Sequence, residues 1–523
     1  MDQSSASLTQ ATPNGDTHPA SMAASSSAPA SHLTAAVSPA AHPHATSFST
    51  HNLAWSVLKN SVAQVVGRVC VALIRLVVAG IILRSYGKGM FGEYSLLFGL
   101  LTIADWLIDF GTTDVFVREF SRDPQNGPRL LRILTAAKVV QVPAGFVTLA
   151  ALILALRYPA NIVEAGLVGG LNLIFFAGVL VYRVLFRTTL TMEREVIAEL
   201  VSVVFMVPMV AFVCAHHGGL VALLTCHLIS RALFSGGCFL LGRSRYRFSL
   251  EGVSWPDVSW ALRSSAAIGV IGFLVGGYEA IDMILLSKLS SVSDLAYYAA
   301  AQRLVWPLLM VLGLLAGTFY PIYAAYWPVR QQDFERLCQR CLDTVLLIAG
   351  LGVCCLLAGA DFFMRLLGPD LAGGAAALRM FALLCFVKAI TSTVGPVLYV
   401  VKAQKKALQF IAIALLVKAA AVAAVAPRFG YLGVISAALV VELCFSTVPV
   451  VYLVQHLAGF RIQWRTILKI AMITAAAALT PRLLSVSGLP AAIAAPAIYI
   501  LLAFVTRVMN LSDIRSLVTR SIR

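Results

Sequence analysis

From about residue 60 onward the chain alternates long apolar runs with short polar turns. The runs cover 60–83, 91–113, 130–156, 163–186, 196–217, 219–242, 266–287, 295–318, 342–366, 375–399, 407–427, 431–455, 466–484 and 489–508. An apolar helix needs roughly 20 residues to cross a hydrocarbon core, and most runs meet that length. Backbone groups in lipid must find their partners within their own segment, so the runs are read as helices. The turns between them leave no room for an extramembrane domain. The fifth and sixth runs are parted only by His216, His217, Gly218 and Gly219. The pattern predicts an all-α integral membrane protein of about 14 transmembrane helices.

Composition sharpens this picture. Hydrophobic residues make up 59% of the 523, charged residues only 12%, and mean hydropathy is +0.86. A string of soluble domains is excluded, since a wetted surface needs about twice that share of charge. Residues 1–55 differ from the rest: Ser, Ala, Thr and Pro dominate, and no Lys or Arg precedes Lys59. Such a segment buries too little apolar area to offset its ordering entropy. It is read as a disordered cytoplasmic tail, and its scattered histidines (His18, His32, His42, His44) are not read as a metal site.

The net charge of +16 is not read as a nucleic-acid footprint, because the cations are spread thinly between apolar runs. Their distribution sets the orientation instead. Even-numbered connections are rich in cations, as in Arg118, Arg122, Arg129 and Arg132, in Arg243, Arg245, Arg247 and Arg263, and in Lys402, Lys405 and Lys406. Odd-numbered connections carry at most two each, such as Arg84 and Lys88, Arg157, and Lys288. Both termini are therefore expected in the cytoplasm. Cys338 and Cys341 form a lone C-x-x-C at the start of an apolar run and are read as packing residues.

Two turns rhyme at an offset of six runs. Leu83-Arg-Ser-Tyr-Gly-Lys-Gly-Met-Phe-Gly-Glu-Tyr94 joins the first two, and Leu286-Ser-Lys-Leu-Ser-Ser-Val-Ser-Asp-Leu-Ala-Tyr-Tyr298 joins the seventh and eighth. An even offset keeps both copies in one orientation, with the repeat axis along the membrane normal. The expected organisation is a first six-helix lobe over 56–242 and a linker over 243–265. A second six-helix lobe follows over 266–457, and 458–523 holds the last two helices. Trp255–Trp260 is expected to form a short in-plane helix within the linker.

The turn ending at Tyr94 resembles the L-G-x-x-x-F-G-x-Y turn of the MOP superfamily of flippases. Asp109-Phe-Gly111 resembles the D-x-G closing the second span of polysaccharide flippases. Glu279-Ala-Ile-Asp282 followed by Tyr298-x-x-Ala301-x-Arg303 resembles the start of their second lobe, with Glu279 standing where an Arg is common. The likeness spans about 55–460 and is closest to the polysaccharide-transporter (Wzx-like) group. It implies alternating-access flipping of undecaprenyl-diphosphate-linked oligosaccharide at the inner membrane, in contact with membrane lipid and glycan-assembly proteins. It implies no enzyme activity, cofactor, metal or nucleic acid. A MurJ-like lipid II flippase, a MATE-like small-molecule exporter and a membrane enzyme of glycan assembly are the alternatives.

Charges within the runs are the candidate functional residues, since each costs at least about 2.5–3.5 kcal/mol at mid-bilayer. Arg68, Arg75, Lys138, Arg231, Asp282, Arg303 and Lys388 are expected to line a substrate cavity. Asp105, Glu279 and Asp282 are candidates for ion coupling. Matching depths in adjacent antiparallel runs suggests three neutralising pairs, Arg68–Asp105, Asp282–Arg303 and Lys418–Glu442. Tyr278, Tyr297, Tyr298, Gln302, Trp306, Asn172 and Tyr182 are candidates for a sugar path. Pro143, Pro208, Pro307 and Pro396 mark bends. Gly269, Gly272, Gly276 and Gly277 give the seventh run a small face for close approach or flexing.

Overall fold

A computed structural model describes residues 50–460, 462–506 and 508. The expected tail up to Ser49, Arg461 and the final cations from Arg507 onward lie outside these residues. The helices run in order α1 (Thr50–Asp109), α2 (Thr112–Arg122), α3 (Gly127–Ala155), α4 (Ala160–Gly170), α5 (Asn172–Thr188), α6 (Glu193–Ala215), α7 (Leu220–Gly242) and α8 (Trp255–Leu289). They continue with α9 (Val292–Tyr326), α10 (Gln331–Ala358), α11 (Ala360–Leu367), α12 (Ala375–Val400), α13 (Gln404–Val441), α14 (Val448–Ala458), α15 (Trp464–Leu483) and α16 (Leu489–Val505). No strand occurs among the described residues.

Eleven helical stretches are long and apolar enough to cross a bilayer, and Leu489–Val505 is a shorter apolar one. Two of the eleven, Gln64–Arg122 and Lys405–Ala458, are 59 and 54 residues long, far beyond one crossing. Both break at a glycine. Gly87 in α1 has φ 71° and Gly430 in α13 has φ 55°, a left-handed region that a Cβ disfavours. The chain reverses there with almost no loop. This is why the first turn, expected as a polar connector, reads as continuous helix on either side of one residue.

Packing repeats at the offset the rhyming turns suggest. The first part of α1 lies on α6, and α8 lies on α13. The last two helices, α15 and α16, pack on α10 and on each other. There Tyr499 donates to the Leu347 carbonyl at 3.0 Å. Between Val441 and α14 the chain makes a π-helical turn, Glu442–Thr447, a rare geometry that often marks a functional position.

The 243–265 segment differs from expectation. Trp255–Trp260 is not a separate helix; it is the start of α8, which runs unbroken to Leu289. A capping box explains the sharp start. Asp257 accepts from both the backbone N–H and the hydroxyl of Ser254, at 3.0 and 2.7 Å. The stretch before it is fastened to the first half of the chain. Tyr246 is buried, its hydroxyl is 2.9 Å from that of Thr135, and its carbonyl accepts from Tyr182 at 3.1 Å. Phe248 completes the cluster against Tyr182 and Phe239.

Candidate substrate cavity

Six of the charged residues singled out in the sequence meet around one cavity of about 380 Å³: Arg68, Arg75, Asp105, Arg231, Glu279 and Arg303. The two halves of α1 bring Arg68, Arg75 and Asp105. The α7 helix brings Arg231, α8 brings Glu279 and α9 brings Arg303. Asn172, Gln302 and Trp306 share the lining, as does the amphipathic ring of Tyr94. Lys138, Asp282 and Lys388 are not among the lining residues.

The ion pairs differ from those expected by depth. Arg68 is 3.8 Å from Glu195, not paired with Asp105, and Glu195 is held more tightly by Arg183 at 2.8 Å. Asp105 takes Arg231 at 3.0 Å, while the Nε of Arg231 donates to Asn172 at 3.1 Å. Arg75 meets Glu199 at 2.8 Å. Asp282 pairs with Lys418 at 2.8 Å, not with Arg303, and also accepts from Tyr298 at 2.8 Å. Glu442 accepts from Tyr278 at 2.9 Å, not from Lys418. Lys388, expected to line the cavity, is bound instead to Glu279. Equal depth is necessary for a pair but says nothing of azimuth. Here the charged faces of consecutive spans turn toward non-consecutive helices, α1 toward α6 and α8 toward α13.

Arg303 is the exception. No carboxylate bonds to it among the described residues; its guanidinium lies 5.1, 5.0 and 5.8 Å from the ring centroids of Phe91, Tyr94 and Phe98. Aromatic faces hold a cation without neutralising it. Two polar atoms at the wall, the Nε of Arg68 and the Oδ1 of Asp105, are buried without a partner.

Lys138 acts elsewhere. Its ammonium is buried and bonds to the Ile108 carbonyl, to the Thr112 hydroxyl at 2.6 Å and to the Gln141 amide oxygen at 3.1 Å. It thereby satisfies the carbonyls freed where α1 ends at Asp109-Phe-Gly111. Tyr278 and Tyr298 are buried beside the second-half acids, Tyr297 sits by Lys88 next to the Gly87 turn, and Tyr182 lies under the linker.

Three wall or near-wall residues escaped sequence reasoning. Glu195 and Glu199 stand at the start of α6, four apart and so on one face. Glu195 falls just before the apolar run 196–217 and so reads as a turn residue. His227 lies on α7 four residues before Arg231, 2.5 Å from the Tyr94 hydroxyl and edge-on to Phe98 at 4.2 Å. For His227 the signal is its place four residues before Arg231, and for Glu199 its place inside an apolar run.

Comparison with known proteins bears on the fold and the family. Residues 57–327 match the model of the family described as polysaccharide biosynthesis protein. No curated protein matches the chain. Among solved structures, the lipid II flippase MurJ in an inward closed conformation is similar at a TM-score of 0.68 and 13% identity, covering 86% of this chain and 98% of MurJ. An inward-facing MATE-family multidrug resistance transporter of the MOP superfamily is similar at 0.60 and 13%, covering 74% of this chain and 96% of its own. An outward-facing MATE-family transporter of the same superfamily is similar at 0.57 and 14%, with 78% and 96% covered. With a family model matched over more than half its length, the chain belongs to the polysaccharide biosynthesis protein family, and its fold is that of the MOP-superfamily transporters.

Proposed function

We propose that the chain is a flippase that moves an anionic lipid-linked oligosaccharide across the cytoplasmic membrane by alternating access. The observation that carries this reading is the charge of the cavity. Four guanidiniums, those of Arg68, Arg75, Arg231 and Arg303, face one space that shows two carboxylates. Each guanidinium has five donors in a planar fork; the carboxylates beside Arg68, Arg75 and Arg231 use few of them, and Arg303 has no carboxylate partner among the described residues. The donors that remain suit a diphosphate, which arginine grips bidentately. A MATE-like exporter of cations would want the opposite balance.

In this reading two six-helix lobes rock about the cavity, fourteen passes cross the membrane and both termini are cytoplasmic. The polyprenyl tail stays in lipid beside α9, where a Cβ built on Gly313 or Gly317 would meet no other atom within 4 Å. Asp105 and Glu279, both at the wall, are the proposed coupling acids; Asp282 acts through Lys418 behind it.

Complementation of glycan display tests the substrate. Arg75→Ala should abolish display at normal protein level, and Arg75→Lys should keep part of it. Full display by the alanine variant would remove Arg75 from the site. Rescue of a strain lacking a cell-wall precursor flippase, in place of a polysaccharide mutant, would move the substrate to lipid II. A reporter fused after Arg157 should read as periplasmic, and a cytoplasmic signal would overturn the orientation.

A further inference from the structure

We propose that the segment Arg243–Leu250, with the groove it forms on α3, is a binding site for one anionic phospholipid. The segment does not hang free between the two halves. Tyr246 is buried and Phe248 packs on the Tyr182 and Phe239 rings, so the chain there is fixed in position. That fixation leaves Arg243, Arg245 and Arg247 exposed. None of the three has an ion-pair partner among the described residues. Nearby arginines contrast with them: Arg118 and Arg122 meet Glu119, Arg129 meets Asp257 and Arg187 meets Asp114.

The groove adjoins this uncompensated charge. It is an open cleft of about 650 Å³, walled by Thr135 and Val139 of α3 and by Phe248 and Leu250 of the segment. Val139, Phe248 and Leu250 are all exposed apolar surface. Its one acid, Glu251, lies four residues past Arg247. No lining residue is shared with the arginine cavity. An acyl chain fits the apolar wall, and a headgroup phosphate fits the three arginines. Cationic residues beside a membrane surface attract anionic lipid by roughly fivefold each.

The test uses the full chain released from nanodiscs of phosphatidylglycerol and phosphatidylcholine, equimolar and matched in acyl length, with bound lipid counted by native mass spectrometry. The wild type should retain phosphatidylglycerol preferentially. Changing Arg243, Arg245 and Arg247 together to Gln should reduce the preference, by roughly fivefold per arginine removed, with no change in melting temperature. The same three changed to Lys should keep it. Arg75→Ala should also keep it, because that residue lies in the other cavity. The proposal is overturned if the glutamine variant holds the wild-type preference, if the wild type shows none, or if the preference is lost with Arg75→Ala.

Discussion

Asp282 and Lys418 are among the most deeply buried charges in the protein, with side chains 3% and 5% exposed. Lys418 also donates to the Tyr278 carbonyl at 2.7 Å, and one oxygen of Asp282 has no partner at all. Such a pair contributes little net stability while intact, but stranding one member costs about 3–5 kcal/mol. Lys418→Met should therefore destabilise the protein by about that amount, and adding Asp282→Asn should recover most of it. Thermal melting in detergent reads both; a double variant no better than the single one would show the pair is not coupled. Arg75 differs. Its side chain is 54% exposed beside Glu199, and losing a pair that open to water costs about 0–1 kcal/mol. The contrast separates a charge that holds the second half together from one poised for substrate.

At the scale of elements, the seam between the second part of α1 and α8 is tightly packed. A Cβ built on Gly276 would lie 2.2 Å from Trp106, and one on Gly269 would lie 2.6 Å from Phe110. Gly111, at φ 70°, would collide with Ile268 at 2.7 Å. Gly269 and Gly276 are therefore sockets for two aromatic side chains. Gly276→Ala should cost about 1–3 kcal/mol through overpacking and reduce glycan display, and adding Trp106→Leu should restore part of both. Unchanged melting in Gly276→Ala would refute the socket. The small face of α8 was legible in the sequence, because Gly269, Gly272 and Gly276 recur at helical spacing. Its occupant was not, since nothing along the chain says which aromatic residue of another helix will arrive. The same limit explains the charges. The apolar runs fall on helices because bilayer thickness acts on one helix at a time. Ion-pair partners depend on rotation about each axis, which only assembled neighbours determine.

For the whole molecule, the two halves meet at the end bearing the Gly87 turn without a single ion pair among the described residues. Arg84 donates to the Leu366 carbonyl at 2.7 Å. Lys88 bonds to the Tyr297 hydroxyl at 3.3 Å and lies 5.1 Å from its ring centre. Lys288 sits 3.6 Å above the Tyr158 ring, whose hydroxyl is 2.7 Å from that of Ser287. Bonds of this kind cost less to part than buried ion pairs, as the proposed alternating access would need of a seal at this end. Tyr158→Ala with Tyr297→Ala should raise hydrogen exchange in segments 84–94 and 288–298; exchange equal to the wild type would mean the seal lies elsewhere.

The fastening of Tyr246 and Phe248 has a geometric consequence for that motion. Between Phe248 and the start of α8 only residues 249–254 remain, which stretched out reach about 20 Å. The first turns of α8 are themselves held to the first half, through Arg129–Asp257 at 3.2 Å and Phe116 against Trp260. The backbone thus works as a short leash at one end of the molecule only. In the proposed alternating-access motion, parting at the Gly87 end breaks only bonds to neutral groups and cation–ring contacts, whereas at the leashed end the halves part only by bending α8 itself.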